Sequence, residues 1–183
     1  MRARIALVVL TLALSGCGKD SKSTAPTITP VTLIRYPSIG VGGDGITRGF
    51  YIPIYPGTSL ETVTLWVSAG TAGAHSFRLI ARSGAYDGAV IDSAKTTVTL
   101  PGNIADSTRV TFTFGNRSTV AGTTVTFALT YLSGPSSGAF YGVAGNYGTL
   151  TGSAINVIET NGTTPPLDTH RRDGIPIILT GLP

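Results

Sequence analysis

The side chains in this sequence that could carry chemistry are few: two histidines, one cysteine and nine carboxylates. Gly134-Pro135-Ser136-Ser137-Gly138 has the spacing G-x-S-x-G. That spacing exposes a nucleophilic serine when it sits between a strand and a helix. On its C-terminal side stands Ala139-Phe140-Tyr141-Gly142-Val143, a strand or loop pattern, so the segment is expected to be a hairpin loop. Asp168-Thr169-His170 would place a carboxylate and an imidazole on one face of an extended segment, and such a pair could contribute to a metal site. Pro165-Pro166 before it and Arg171-Arg172-Asp173-Gly174 after it describe a surface loop instead. His75 stands far from His170 in the chain. Glycosidases need two carboxylates across a cleft; the two glutamates, Glu61 and Glu159, fall at a strand start and a strand end, and nothing in their spacing makes them face each other. Val41-Gly42-Gly43-Asp44-Gly45 lacks the GK[ST] of a phosphate loop and reads as a turn. The expectation is a protein without a catalytic site and without a resident cofactor. Asp44, Asp87, Asp168 and Asp173 lie among turn residues, where aspartate serves turn geometry; they are also the candidates for a structural calcium ion.

Aromatic residues offer a second kind of chemistry. Trp66 alternates out of register with Val63, Leu65 and Val67, so it belongs to the polar side of its strand. Tyr51, Tyr55, Tyr86, Tyr141 and Tyr147 lie in or beside loops. Exposed flat rings can stack on sugars while nearby polar groups bind hydroxyls. Trp66, Tyr86, Tyr141 and Tyr147 are therefore the candidate ligand-binding residues. The competing expectation is that a loop covers Trp66, or that Ile80 covers it from the same face of a neighbouring strand.

The elements that must position these side chains are strands. Val63, Leu65 and Val67 alternate with Thr62, Thr64 and Trp66. Phe77, Leu79 and Ala81 repeat the pattern, as do Val110, Phe112 and Phe114, and then Val125, Phe127, Leu129 and Tyr131. Successive side chains of a strand point to opposite faces, so each segment has one apolar side to bury. Further strands are expected near 31–35, 48–54, 89–99, 138–144, 153–159 and 175–180, with Pro176 marking an edge or a strand start. Turn residues punctuate the gaps at Pro56-Gly57, Asp87-Gly88, Pro101-Gly102, Gly115-Asn116 and Asn161-Gly162. No 3.6-residue stripe occurs beyond the first residues. About nine or ten short strands, each apolar on one side, predict an all-β fold: a two-layer antiparallel β-sandwich of jelly-roll or immunoglobulin-like topology over residues 31–183. Thr-Val-Thr-Leu at 62 and 97 and Thr-Val-Thr-Phe at 124 are unevenly spaced and reflect strand chemistry, not a repeat.

The start of the chain is different. Arg2 and Arg4 precede an apolar run, Ile5 to Leu14, broken only by Thr11. Crossing a bilayer takes about 20 apolar residues, and this shorter run has the form of a signal-peptide core. It ends at Leu14-Ser15-Gly16-Cys17, which holds the chain's only cysteine. This segment resembles the lipobox of bacterial lipoproteins. The resemblance implies that residues 1–16 are removed and that Cys17 becomes an acylated first residue. Gly18 stands where an aspartate would retain such a protein at the inner membrane, which implies the outer membrane in a two-membrane cell. Acyl burial contributes about 0.8 kcal/mol per methylene, and stable attachment takes more than one chain. Residues 18–30, GKDSKSTAPTITP, then read as a flexible tether spanning at most about 40–45 Å.

The formal charge is +4, but the leader holds two of the arginines, leaving 11 basic against 9 acidic side chains. No basic stripe or reader motif for nucleic acid is present. With 42% hydrophobic residues the chain can build a core. From Phe50 onward the pattern is similar to small β-sandwich modules of secreted bacterial proteins, including carbohydrate-binding modules. The likeness rests on Gly57-Thr58-Ser59-Leu60 leading into Val63-Thr64-Leu65, and on Gly122-Thr123-Thr124-Val125-Thr126-Phe127-Ala128-Leu129. The expected protein is lipid-anchored and non-catalytic, at the cell envelope. Its expected partners are the membrane through the anchor and a glycan or envelope protein. The alternatives are a carbohydrate-binding module and, behind it, a hydrolase of envelope polymers.

Overall fold

The structure, a computed structural model, describes residues 28–36, 41–42, 47–119, 121–135, 141–143, 145–146, 156–159 and 176–183. The strands are β1 (Val31–Tyr36), β2 (Val41–Gly42), β3 (Thr47–Ile52), β4 (Ser59–Ala69), β5 (Ala72–Ser83) and β6 (Val90–Pro101). They continue as β7 (Thr108–Ser118), β8 (Val125–Ser133), β9 (Tyr141–Val143), β10 (Gly145–Asn146), β11 (Asn156–Glu159) and β12 (Ile177–Gly181). Among the described residues there is no helix, and so none long and apolar enough to cross a membrane.

Two five-stranded antiparallel sheets form. In the first the order is β1-β12-β4-β7, with β9 joining the far end of β4; in the second it is β11-β3-β8-β5-β6. Strands β2 and β10 make a separate short pair. The pairing is nested: β5 with β6, β4 with β7, β3 with β8 and β1 with β12. A long antiparallel ribbon rolled on itself gives this order, which is the jelly roll, not the immunoglobulin arrangement. Ala69 of β4 and Ala72 of β5 are nearly adjacent in the chain, yet the two strands belong to different sheets.

The alternating apolar residues meet between the sheets. Val63, Leu65, Val67, Val110, Phe112, Phe114, Ile177 and Leu179 face inward from the first sheet; Phe50, Ile52, Phe77, Leu79, Ala81, Val125, Phe127 and Leu129 face them from the second. Each large side chain so buried contributes about 1.5–3 kcal/mol. Phe127 stacks on Phe50 at 4.9 Å between ring centroids and meets Phe114 of the opposite sheet edge-on at 6.4 Å. At the β6 terminus Gly102 has φ +82°, and a Cβ there would lie 2.2 Å from the Ala72 nitrogen. Only glycine fits that turn.

Several expectations change. Gly115-Asn116 is not a gap: β7 runs through it as a bulge, three residues opposing Glu61 between the pairs Leu60–Arg117 and Thr62–Thr113. Pro176 precedes β12, which lies between β1 and β4, so it marks a strand start and not an edge. The segment opening at Gly134-Pro135 leaves β8 of one sheet toward β9 of the other, so it is a crossing and not a hairpin; residues 136–140 lie outside the described residues. Tyr55 is not an exposed ring. It is fully buried, its hydroxyl donates to the Ser59 carbonyl at 2.8 Å, and its backbone bonds Thr123 and Gly122.

Burial pushes the Tyr55 phenol above its ordinary range, and a side-chain hydrogen bond with Thr119 offsets this only in part. In the unfolded chain the phenol ionises near 10, while in the fold it stays protonated. Above that pH the unfolded state holds fewer protons, so stability falls as pH rises. Chemical denaturation from pH 8 to 11 should show a decline approaching about 1.4 kcal/mol per pH unit above 10 from this group. Tyr55→Phe should remove this part of the slope. An unchanged slope in the variant would refute the assignment.

Candidate binding faces

With the apolar side chains turned inward, the outward positions of the first sheet become a threonine-rich plane. Thr62 lies opposite Thr180 on β12 and Thr113 on β7, and Thr64 opposite Thr111. Thr180 donates to the Glu61 carboxylate at 3.3 Å, so its one hydroxyl proton is committed and Thr62 must donate to Thr180, at 2.7 Å. The Thr64 and Thr111 hydroxyls bond at 2.8 Å. β-Branched side chains suit a pleated surface and pair across strands. Trp66 is the next outward residue of β4 and lies half-buried in this plane, opposite Arg109 of β7. Arg109 was legible in the sequence only through its place before inward-facing Val110. Ile80 does not cover Trp66. It faces outward from β5, so the two side chains are on opposite sides of the sandwich.

The other candidates are spread out. Tyr86 lies in the β5–β6 loop, at the end of the sandwich where the Gly84 N–H donates to the Thr124 carbonyl. Trp66 pairs near the other end of the first sheet, so the fold does not bring these rings together. The backbone of Tyr141 lies in β9 opposite Ala69, three residues along β4 from Trp66. Tyr147 and Cys17 are outside the described residues, as are Asp44, Asp168, Asp173 and His170. Asp87 is exposed in the β5–β6 loop, and no group of three metal-ligating side chains occurs among the described residues.

Glu61 belongs to the first sheet and Glu159 to the edge strand β11 of the second. Asp92 meets Arg117 at 3.2 Å, linking β6 to β7 across the open side of the sandwich. Asp106 accepts from Asn103 at 3.1 Å within its own turn. His75 continues the inward series of Phe77, Leu79 and Ala81 by one step and is fully buried. That alternation was present in the sequence and is the signal that locates it. Its Nε2–H donates to the Thr71 carbonyl at 2.8 Å, which leaves Nδ1 as the unprotonated nitrogen in the neutral ring, without a partner among the described residues. The rings of Phe77 and Tyr131 lie 6.0 Å away.

No protein-family model, curated protein or solved structure matches the chain.

Proposed function

We propose that this protein is an envelope lipoprotein that works by presentation and binding, without catalysis. Acyl chains on Cys17 hold it at the outer membrane, and residues 18–30 tether a rigid jelly roll. The observation that carries this reading is the pairing of two unlike segments: a basic and apolar leader closing on Leu14-Ser15-Gly16-Cys17, and a body whose first sheet turns outward threonine hydroxyls already bonded to one another. Side chains so engaged make a stiff surface suited to contact with another envelope component. Within the described residues, Glu61, Asp92, Asp106 and His75 stand in separate places, each with a structural contact.

Trp66 favours a second reading, recognition of a neutral glycan. Trp66 lies outward on β4 opposite Arg109, an apolar plate beside a guanidinium donor. A sugar stacked on this ring removes apolar surface from water at about 25 cal/mol per Å². A glycan array probed with wild type and Trp66→Ala distinguishes the readings. Binding that is present in wild type and weakened by about tenfold or more in the variant, with the melting temperature kept, establishes the glycan role. No glycan bound by wild type, or equal binding by both proteins, refutes it and leaves envelope presentation.

A further inference from the structure

The outward face of the second sheet differs in charge from the first. On β3, β8, β5 and β6 its positions are Gly49 and Tyr51; Thr126, Ala128, Thr130 and Ser133; Ala74 through Arg82 at every second residue; and Ser93 through Thr99 at every second residue. On these four strands three are cations, Arg78, Arg82 and Lys95, and none is a carboxylate; Glu159, on β11 opposite Thr47, lies at the edge of the sheet farthest from β6. Arg78 lies directly opposite Lys95. Like charges so placed destabilise a sheet, and nothing in the packing requires them. Asp92 is turned away to Arg117, and Asp87 in the adjoining loop makes no ion pair among the described residues. The Nε atoms of Arg78 and Arg82 are buried and without a hydrogen-bond partner, while Arg82 Nη1 donates to the Gly88 carbonyl at 2.9 Å, which holds that guanidinium in place.

The same face exposes an aliphatic side chain: Val90, opposite Arg82, is 56% exposed. Tyr51 shares a cross-strand row with Thr126 and Arg82. Cations with intervening apolar tips form the pattern that settles on a headgroup layer, the charges attracted by anionic lipid and the apolar tips inserting. The described chain enters β1 at Val31, at the same end of the sandwich as Arg82 and Val90. A tether of at most about 40–45 Å allows this face to reach the bilayer that holds Cys17.

We propose that the β3-β8-β5-β6 face is a docking surface for an anionic phospholipid bilayer, through Arg78, Arg82 and Lys95. The orientation of the domain deepens the lipoprotein reading, but the face itself can be tested without the anchor. All the described strands lie between Val31 and Gly181, so residues 18–183 contain both described sheets. This unacylated chain is sedimented with vesicles of phosphatidylcholine alone and of phosphatidylcholine mixed equally with phosphatidylglycerol. Each cation near an anionic surface strengthens partitioning about fivefold, so the three together give a preference on the order of 100-fold at low salt, reduced by added salt. Arg78→Gln/Arg82→Gln/Lys95→Gln should abolish that preference, whereas Arg109→Gln on the opposite face should not. If the triple variant does not fold, the exposed single change Lys95→Glu should still lower the preference by about fivefold or more. Equal binding to both vesicles, or an Arg109→Gln effect as large as the triple change, overturns the proposal. So does retention on soluble polygalacturonate without binding to anionic vesicles, which would make the occupant an acidic polysaccharide.

Discussion

Phe127→Ala should cost about 3–5 kcal/mol and lower the melting temperature by roughly 10 °C or more for a domain of this size. The ring is where the two layers meet: it stacks on Phe50 within its own sheet and meets Phe114 of the other. Truncation removes both ring contacts and leaves a cavity that the ladders on either side of β8 cannot close, because β3 and β5 hold it in register. Phe127→Leu retains most of the volume and should cost much less, about 1–2 kcal/mol. Urea denaturation of the three proteins measures this. A loss below about 1 kcal/mol for alanine would mean that Phe127 does not join the sheets as described.

Cys17→Ser should remove the protein from the mature, membrane-bound pool almost completely. The oxygen of serine does not replace the sulfur as the acyl acceptor in the lipobox reading, so neither lipid attachment nor leader removal proceeds. The variant should run at the size of the uncleaved chain or be found outside the outer-membrane fraction. Its domain should melt at the wild-type temperature, since every described strand lies beyond residue 30. Fractionation with size analysis, beside circular dichroism of the purified variant, provides both readings. A variant of mature size that still sediments with membranes would remove the case for acylation.

The inward residues of the strands were legible because alternation is a local property. Val63, Leu65 and Val67, or Val125, Phe127 and Leu129, declare a buried side without reference to any other segment. Partners were not legible, because alternation names a face and not a neighbour. Strands β4 and β5 are separated by two residues and read as adjacent, yet they pair with β7 and β12 on one side of the molecule and with β6 and β8 on the other. That is why Ile80 looked like a cover for Trp66. Tyr55 was misplaced for another reason: it comes after β3 in an irregular stretch, and its burial is fixed by long-range bonds to Thr123 and Gly122 that leave no periodic trace.

For the candidate faces the division is similar. The outward position of Trp66 could be read from the residues around it, and those of Arg78 and Arg82 from their alternation with inward Phe77, Leu79 and Ala81. Their conjunction with Lys95 could not be read, because Lys95 reaches Arg78 only through the β5–β6 register. The threonine plane likewise needs β12 to bring Thr180 to Thr62, 118 residues away in the chain.

Whether lipid on one sulfur holds this jelly roll at the envelope is tested most directly by the intact mass of the mature chain, extracted from membranes in detergent. The expected polypeptide begins at Cys17 and carries a thioether-linked diacylglyceryl group and an amide-linked acyl chain. A mature polypeptide with a free thiol at Cys17, or one that begins at another residue and bears no acyl group, would contradict the proposed anchor.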